Sequence, residues 1–484
     1  MSDSSKRIIE IQNNYFAQIQ ELFADLILIF EKEATSVSDA VDKYLSKQKT
    51  FFIPGYKDNL AYKRQLLYKN NYMFWSENKN LIADYIKSRS NVGIFGVGDN
   101  TFIYDYPNEI KRNSLFYDIL VFNDPFYTYY SSDKELNFNS NAVLFYESIL
   151  YLWIIKRYTS LDGNEAFSIV FPFDSLLSDE EKNIIADNSK NHADSWVNEV
   201  FGIKETINGT DNLVNNISLL KDMTLEEIQE KLYKNGIYQS VTEALNYSQN
   251  LLSDAEKREI ERFCIESWGS FNRDFVRCLL LMEALPSIAL TNYYTYKLHT
   301  IISAQLNSSP IIAQREWGAL QRDLKNHPLP VSTDYMYTCA VHRNDNMAIL
   351  MSLNYDEITE YHGKTSCAEF RNFFNKATQE IVNTHVNFDE IANEVFVRTD
   401  ALLKKEYQDI IVNRRHTKKN ALIGMFKSAL GFVPFLSWVI SAFDFGVSGF
   451  KYASTLKNQP TVIEHIYFRN TTWNNKQDLL RKVK

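Results

Sequence analysis

From Ser428 to Phe443 the chain runs sixteen residues without a charged side chain. A stretch so apolar belongs either in the interior of a fold or at a lipid boundary, and that choice constrains the chain more than any other segment does. As a single helix it would rise about 24 Å, short of the ~30 Å of hydrocarbon that one span must cross. Pro434 also divides it. The wider run, Asn420 to Ser454, holds four glycines and only three charges, Lys427, Asp444 and Lys451. Two helices joined at Phe432-Val433-Pro434 fit this pattern better. In the second, Ser437, Ser441, Asp444, Ser448 and Lys451 recur at helical spacing as a polar stripe, while Phe435, Val439, Phe443 and Phe450 fall on another face. The expectation is an amphipathic hairpin with two homes, docked on the body of the protein or placed in a membrane interface.

The residues before this run are basic: Arg414, Arg415, His416, Lys418 and Lys419. From Ile411 to Lys484 there are twelve lysines and arginines against three acids, a net of +9; the whole chain carries −8, so the preceding 410 residues carry −17. Such asymmetry predicts that the basic region contacts the acidic body, a phosphate-bearing partner or an anionic membrane surface. A protein partner or self-association is also expected. The overall negative balance argues against nucleic acid as a partner.

Upstream, helical signals dominate. Ile8, Ile11, Tyr15, Ile19, Leu22, Leu26 and Ile29 recur every three or four residues, which predicts a long amphipathic helix from Ser5 to about Ala34. One more helix is expected over 38–47 and two within 58–88. Ser178 with Glu181, Thr224 with Glu227, Ser240 with Glu243 and Ser253 with Glu256 all have capping-box spacing, in which hydroxyl and carboxylate each satisfy a free amide of the first turn. A helix starting near Asp254 is expected to stop before Pro286, and others are expected between Asp334 and Asn413. With 15 glycines and 10 prolines in 484 residues, breakers are scarce, as a helical chain requires.

The pattern changes over 91–175. Short β-branched or aromatic runs at 92–98, 101–106, 115–122 and 167–173, separated by turn residues, predict strands. The fold class expected is mainly α: a multi-helix globular protein with a small α/β island and a C-terminal amphipathic helical hairpin. Its regions are 1–90 (helical), 91–175 (α/β), 176–326 (helical), 327–413 (helical) and 414–484 (basic, with the hairpin).

Three patterns touch on chemistry. Gly93, Gly96 and Gly98 form G-x-x-G-x-G, the reverse of the dinucleotide fingerprint's spacing. Beyond Gly98, the residues Asp99-Asn100-Thr101-Phe102-Ile103-Tyr104 look like a turn into a strand rather than the helix that a pyrophosphate needs, so hairpin glycines are expected. Asp105, Asp118 and Asp124 lie near predicted strand ends, where clustered carboxylates hold magnesium for phosphoryl chemistry and where aspartates also serve as turn caps. Cys339 and His342, then His362 and Cys367, give C-x2-H and H-x4-C pairs with the chemistry of a structural zinc set, although Cys339 sits in an apolar run that suits a buried thiol. Core cysteines and capping aspartates are the expected roles, so neither zinc nor magnesium nor any other cofactor is predicted.

Four cysteines in 484 residues make no disulfide framework, and the start, MSDSSKRIIEIQNN, lacks the apolar core of a secretion signal. The expectation is a cytoplasmic protein, peripheral to membrane if the hairpin docks there. Its leading function class is a non-enzymatic interaction or effector protein, of the bacterial stress or defence kind, whose hairpin engages membrane. The alternatives are a metal-dependent hydrolase or nuclease using the three aspartates, and a helical scaffold subunit of a complex.

Overall fold

Val92–Phe95, Ile119–Asn123, Ser168–Phe171 and Ser309–Pro310 are strands β1 to β4 of one sheet with spatial order β3-β2-β1-β4. All three pairings are parallel: Ile94 lies opposite Val121 and Pro310, and Phe122 lies opposite Val170. Every residue of β2 and β3 is buried, which suits a parallel sheet covered on both faces. β1 has a neighbour on each side, so neither of its edges is open to the hairpin expected after Gly93. Pro310 is tolerated because β4 is a two-residue edge strand.

This computed structural model describes 3–24, 56–95, 113–129, 166–201, 223–234, 273–311, 335–339, 361–384 and 466–470, with single residues or short pieces at 110, within 148–156, 255–262 and 316–319, at 358 and within 397–406. The expected strand at 101–106, the helix at 38–47 and the hairpin of 420–454 lie outside these residues. The described part is mostly helical, with one small parallel sheet. The chain divides into two compact units, one of 1–176, 302–311 and 334–474, the other of 177–301, 312–333 and 475–484.

In the first unit, helix α1 (Asp3–Leu22) packs on α2 (Tyr56–Lys87). Their shared core is aromatic: Tyr15 lies 5.2 Å from Trp75 and 5.7 Å from Phe74, and Trp75 reaches Phe171 of β3 at 6.3 Å. Over 58–88 the structure has one helix instead of two. Neither proline nor glycine interrupts Tyr56–Lys87, and Leu67, Asn71, Phe74, Trp75, Ile82 and Ile86 keep one buried face along it. β2 begins at Ile119 rather than near Leu115, because Ser114, Phe116 and Tyr117 return hydrogen bonds to Ile110 and Asn113 as a turn. The short helix α3 (Pro125–Tyr129) follows β2, and a 3-10 turn, Phe173–Leu176, follows β3.

β3 forms an edge of the sheet, and an exposed edge invites unwanted pairing. Gln12 of α1, fully buried, closes it. Its amide donates to the Val170 carbonyl at 3.0 Å and accepts from the Val170 N–H at 2.8 Å. One side chain thus stands in for a neighbouring strand.

The second unit contains α4 (Asp179–Phe201), α5 (Leu225–Lys234) and most of α6 (Arg273–Gln305). Two of the four capping boxes fall on described residues, and both form. The Ser178 amide donates to Glu181 at 2.7 Å while the Glu181 amide donates to the Ser178 hydroxyl at 3.3 Å; Thr224 and Glu227 repeat the exchange at 2.7 and 3.2 Å. α6 continues through Pro286, against the stop expected there. An internal proline costs about 3 kcal/mol or more, and the buried Ala289, Tyr293, Tyr296, Leu298 and Ile301 beyond it offset this through packing. Trp196 of α4 meets Tyr293 edge-on at 5.4 Å. Asn307, with φ of 49°, takes the left-handed conformation that ends α6, and the Ser308 amide closes back on the Ser303 carbonyl at 2.9 Å.

Strands β5 (Tyr335–Cys339) and β6 (Ile466–Asn470) pair antiparallel, with Tyr337 opposite Phe468. Helix α7 (Thr365–Thr384) lies against β5. These three elements belong to the first unit.

Replacing Gln12 with Leu should leave the Val170 N–H and carbonyl buried and unpaired, and lower unfolding free energy by about 2–5 kcal/mol in a denaturant titration. Gly93→Ala should cost about 1–3 kcal/mol by the same measurement. A Cβ there would stand 2.6 Å from Ile311 Cδ1 and 2.9 Å from the Tyr117 ring.

Candidate functional site

The two ends of β2 carry two polar clusters of different kinds. At the amino end, Asp118 accepts a hydrogen bond from Arg371 Nε of α7 at 2.6 Å, and Arg371 Nη2 also donates to the His362 carbonyl at 3.0 Å. His362 Nε2 meets the Tyr117 carbonyl at 3.2 Å, so that nitrogen carries the proton. Its ring lies 4.3 Å from Phe167. Burial, then the charge of Arg371, holds the His362 imidazole well below its usual range, so it is neutral. Burial also pushes the Cys367 thiol up to about 11, which keeps it protonated at neutral pH. This cluster ties α7 to the sheet.

At the carboxyl end Asp124 is completely buried. Oδ2 accepts from Trp75 Nε1 at 2.6 Å and Asn71 Nδ2 at 3.3 Å, both from α2. Oδ1 accepts from the amides of Phe126 and Tyr127 at 2.8 and 3.3 Å. Locally this is a helix cap: aspartate is favoured before the first turn, and Pro125 fits the first helical position because its missing N–H would have been unpaired there. The Tyr15 hydroxyl stands close enough to stabilise the carboxylate's charge but completes no hydrogen bond of full geometry. The Asn71 amide oxygen is likewise buried without a partner.

Desolvation wins the electrostatic contest. Burial raises the Asp124 carboxyl to about 6, against the pull of Tyr15, Trp75 and the two backbone amides toward the ionised form. The facing hydroxyls share the effect: burial and then the Asp124 charge hold Tyr15 well above its ordinary value, and burial, with Tyr72, Asp174, Tyr68 and Asp124 nearby, raises Tyr127. In open parallel sheets ligands approach the carboxyl ends of the strands. A carboxyl near 6 at such an end has the protonation behaviour of a general acid or base. Its burial among α1, α2 and α3 makes it an interior group in this structure.

The structure separates the aspartates. Asp118 and Asp124 flank β2, six residues and roughly 20 Å apart at ~3.3 Å per residue, too far to share one ion; Asp105 lies outside the described residues. Of the four Cys/His positions, His362 precedes α7, Cys367 lies in its first turn, Cys339 ends β5, and His342 lies outside the described residues. Among the described residues no group of three or more His, Cys, Asp or Glu gathers in a metal-ligating arrangement. Arg414, Arg415, Lys418, Lys419, Phe435, Val439, Phe443 and Phe450 all lie outside them. Sequence patterns did not single out Trp75, Asn71 or Arg371. A tryptophan and an asparagine one turn apart on a buried helix face were the available signal for the first two.

No protein family matches this chain, and neither a curated protein nor a solved structure matches it. Among the described residues no helix is long and apolar enough to cross a membrane.

The Asp124 carboxyl has a pH signature. Its folded-state pKa, about 6, lies above its ordinary 3.8, so the folded state holds the proton more tightly. The group therefore favours folding at low pH, and that contribution is lost as pH rises from about 4 to about 6, by roughly 3 kcal/mol. Stability of the wild type measured across this window should fall relative to Asp124→Asn, which has no proton to lose. The two curves should run parallel above pH 7.

Proposed function

We propose that this protein is a non-enzymatic interaction or effector protein of the cell interior, which acts by placing its basic C-terminal region on an anionic membrane surface. The observation that carries this reading is the position of Arg414, Arg415, Lys418 and Lys419 immediately before the Asn420–Ser454 run, in a chain whose first 410 residues are strongly acidic. Cations beside an amphipathic segment combine electrostatic attraction with apolar insertion. The acidic body, repelled by the same lipid, favours contact through this region alone.

The pairing of β5 with β6 supports the reading in a second way. The run lies in sequence between α7 and β6, elements that both belong to the first unit. In sequence it therefore has a placed element of the first unit on either side. A run so connected could engage a membrane without unthreading the fold. A chain ended at Asn413 would lose β6 along with the run, so substitutions within the run are the cleaner test.

Full-length protein should float with vesicles containing phosphatidylglycerol or phosphatidylserine and remain behind with pure phosphatidylcholine. Each cation near anionic lipid contributes ~1 kcal/mol, so Arg414, Arg415, Lys418 and Lys419 changed together to Gln should weaken partitioning by roughly three orders of magnitude. Phe435, Phe443 and Phe450 changed together to Ser should abolish flotation while the charges remain. A wild type that floats with neither vesicle, or a charge variant that floats as well as the wild type, overturns the proposal.

A further inference from the structure

Exposed large apolar side chains are few among the described residues, and they are concentrated. Tyr62 is 65% exposed, Tyr68 38%, Tyr72 56% and Met73 54%, all within twelve residues of α2; Val397 is the remaining one. At 100° per residue, Tyr62, Gln65, Lys69, Tyr72, Met73, Ser76, Glu77 and Asp84 share one outer face of the helix, and all eight are exposed. The opposite face buries Leu67, Asn71, Phe74 and Trp75. A helix with apolar rings on both faces loses the contrast expected of one that simply meets solvent. Tyrosine and methionine are also the types enriched in protein interfaces.

We propose that this outer face of α2 is a self-association surface, on which a second copy of the chain lays its own α2 antiparallel about a twofold axis through Met73. The charges select this geometry. With Met73 on the axis, Lys69 of one copy falls opposite Glu77 of the other, and the symmetry repeats the pair. Tyr62 falls opposite Asp84, within reach of a hydroxyl–carboxylate hydrogen bond. A parallel alignment would instead set Lys69 against Lys69. Met73 occupies the centre, where an anchor of a twofold interface belongs, and Tyr72, 100° around the helix from it, borders the contact.

The surface is also of a suitable size. At about 200 Å² per large side chain, the exposures of Tyr62, Tyr72 and Met73 leave on the order of 350 Å² of ring and thioether open on each copy. Two copies would bury up to roughly 700 Å² from these residues. Gln65, Lys69, Ser76 and Glu77 bring the total toward the ~1,200 Å² at which specific interfaces begin. The association is therefore weak and concentration-dependent.

Sedimentation velocity of the full chain, from about 1 to 100 µM, should show a monomer–dimer equilibrium. Tyr72→Ser with Met73→Ser should leave monomer throughout that range. Lys69→Glu alone and Glu77→Lys alone should each weaken the dimer, and the two together should restore it, because the pair is exchanged across the axis. Facing Cα atoms of helices 8–10 Å apart fall within disulfide reach. Met73→Cys should therefore give an oxidised covalent dimer, whereas Asn80→Cys, off the axis, should not. A wild type monomeric at every concentration, which would leave the face to a different partner, overturns the proposal. So does a dimer indifferent to the Tyr72 and Met73 changes, or a charge exchange that fails to restore.

Discussion

A carboxylate with no cation beside it is among the most demanding groups to bury, and Asp124 lies at the convergence of four elements of the first unit. Its two oxygens take hydrogen bonds from α2 and from the start of α3, while the residue itself ends β2 and faces Tyr15 of α1. Donors of this kind are stronger than neutral ones because the acceptor is charged. Yet burial raises the carboxyl to about 6 despite them. The junction is thus stabilised by directional bonds and opposed by solvation, and the fold keeps it because those bonds fix where α2 sits against the sheet. Gln12 does a related task without charge, closing the β3 edge at Val170. Together these side chains let a four-stranded parallel sheet, short and buried, stay discrete.

The elements readable from sequence were those with local causes. The boxes at Ser178 and Thr224 need only residues three apart, and both form as expected. The periodicity of Ile8, Ile11, Tyr15 and Ile19 needs only one helix, and these residues are all buried. Pairing was a different matter. Parallel strands meet across long connections, so nothing near Val92 signals that its strand will lie between Ile119–Asn123 and a two-residue strand more than two hundred positions later. The glycine at 93 was visible, but its reason was not. It makes room for Ile311 and Tyr117 in a central strand, a requirement that no turn motif encodes.

The same distinction explains the candidate site. Asp118 and Asp124 look alike in sequence, both acids beside one apolar run. A strand has two ends, however, and they face different surroundings: Arg371 compensates Asp118 with a full charge, whereas Asp124 has neutral donors only. Their partners come from α7 and α2, 253 and 49 residues away. Chemistry therefore depends on contacts that spacing alone does not reveal. Pro286 makes the reverse point, since a strong local stop signal yielded to the tertiary packing of Tyr293 and its neighbours.

The carboxyl ends of β2 and β3 are occupied by protein itself: Asp124 by α2 and α3, and Phe171 by Trp75 and, at 6.0 Å, Phe173. Among the described residues, these contacts tie the sheet to the helices around Asp124. The feature left over from cohesion, among those same residues, is the tyrosine and methionine face on α2. The basic, apolar run at 414–454 lies outside them and is known from its sequence alone, as a cluster of cations in a chain whose first 410 residues are acidic. On the two proposals, Lys69 and Glu77 would complement a second copy of α2, and the cluster at 414–419 would meet an anionic surface. A dimer formed through α2 would carry two such basic regions. Paired weak anchors on one particle bind a surface with an avidity that neither reaches alone, provided both can touch it together. On these two proposals, self-association would be coupled to membrane contact, because the first would set the number of basic regions available to the second.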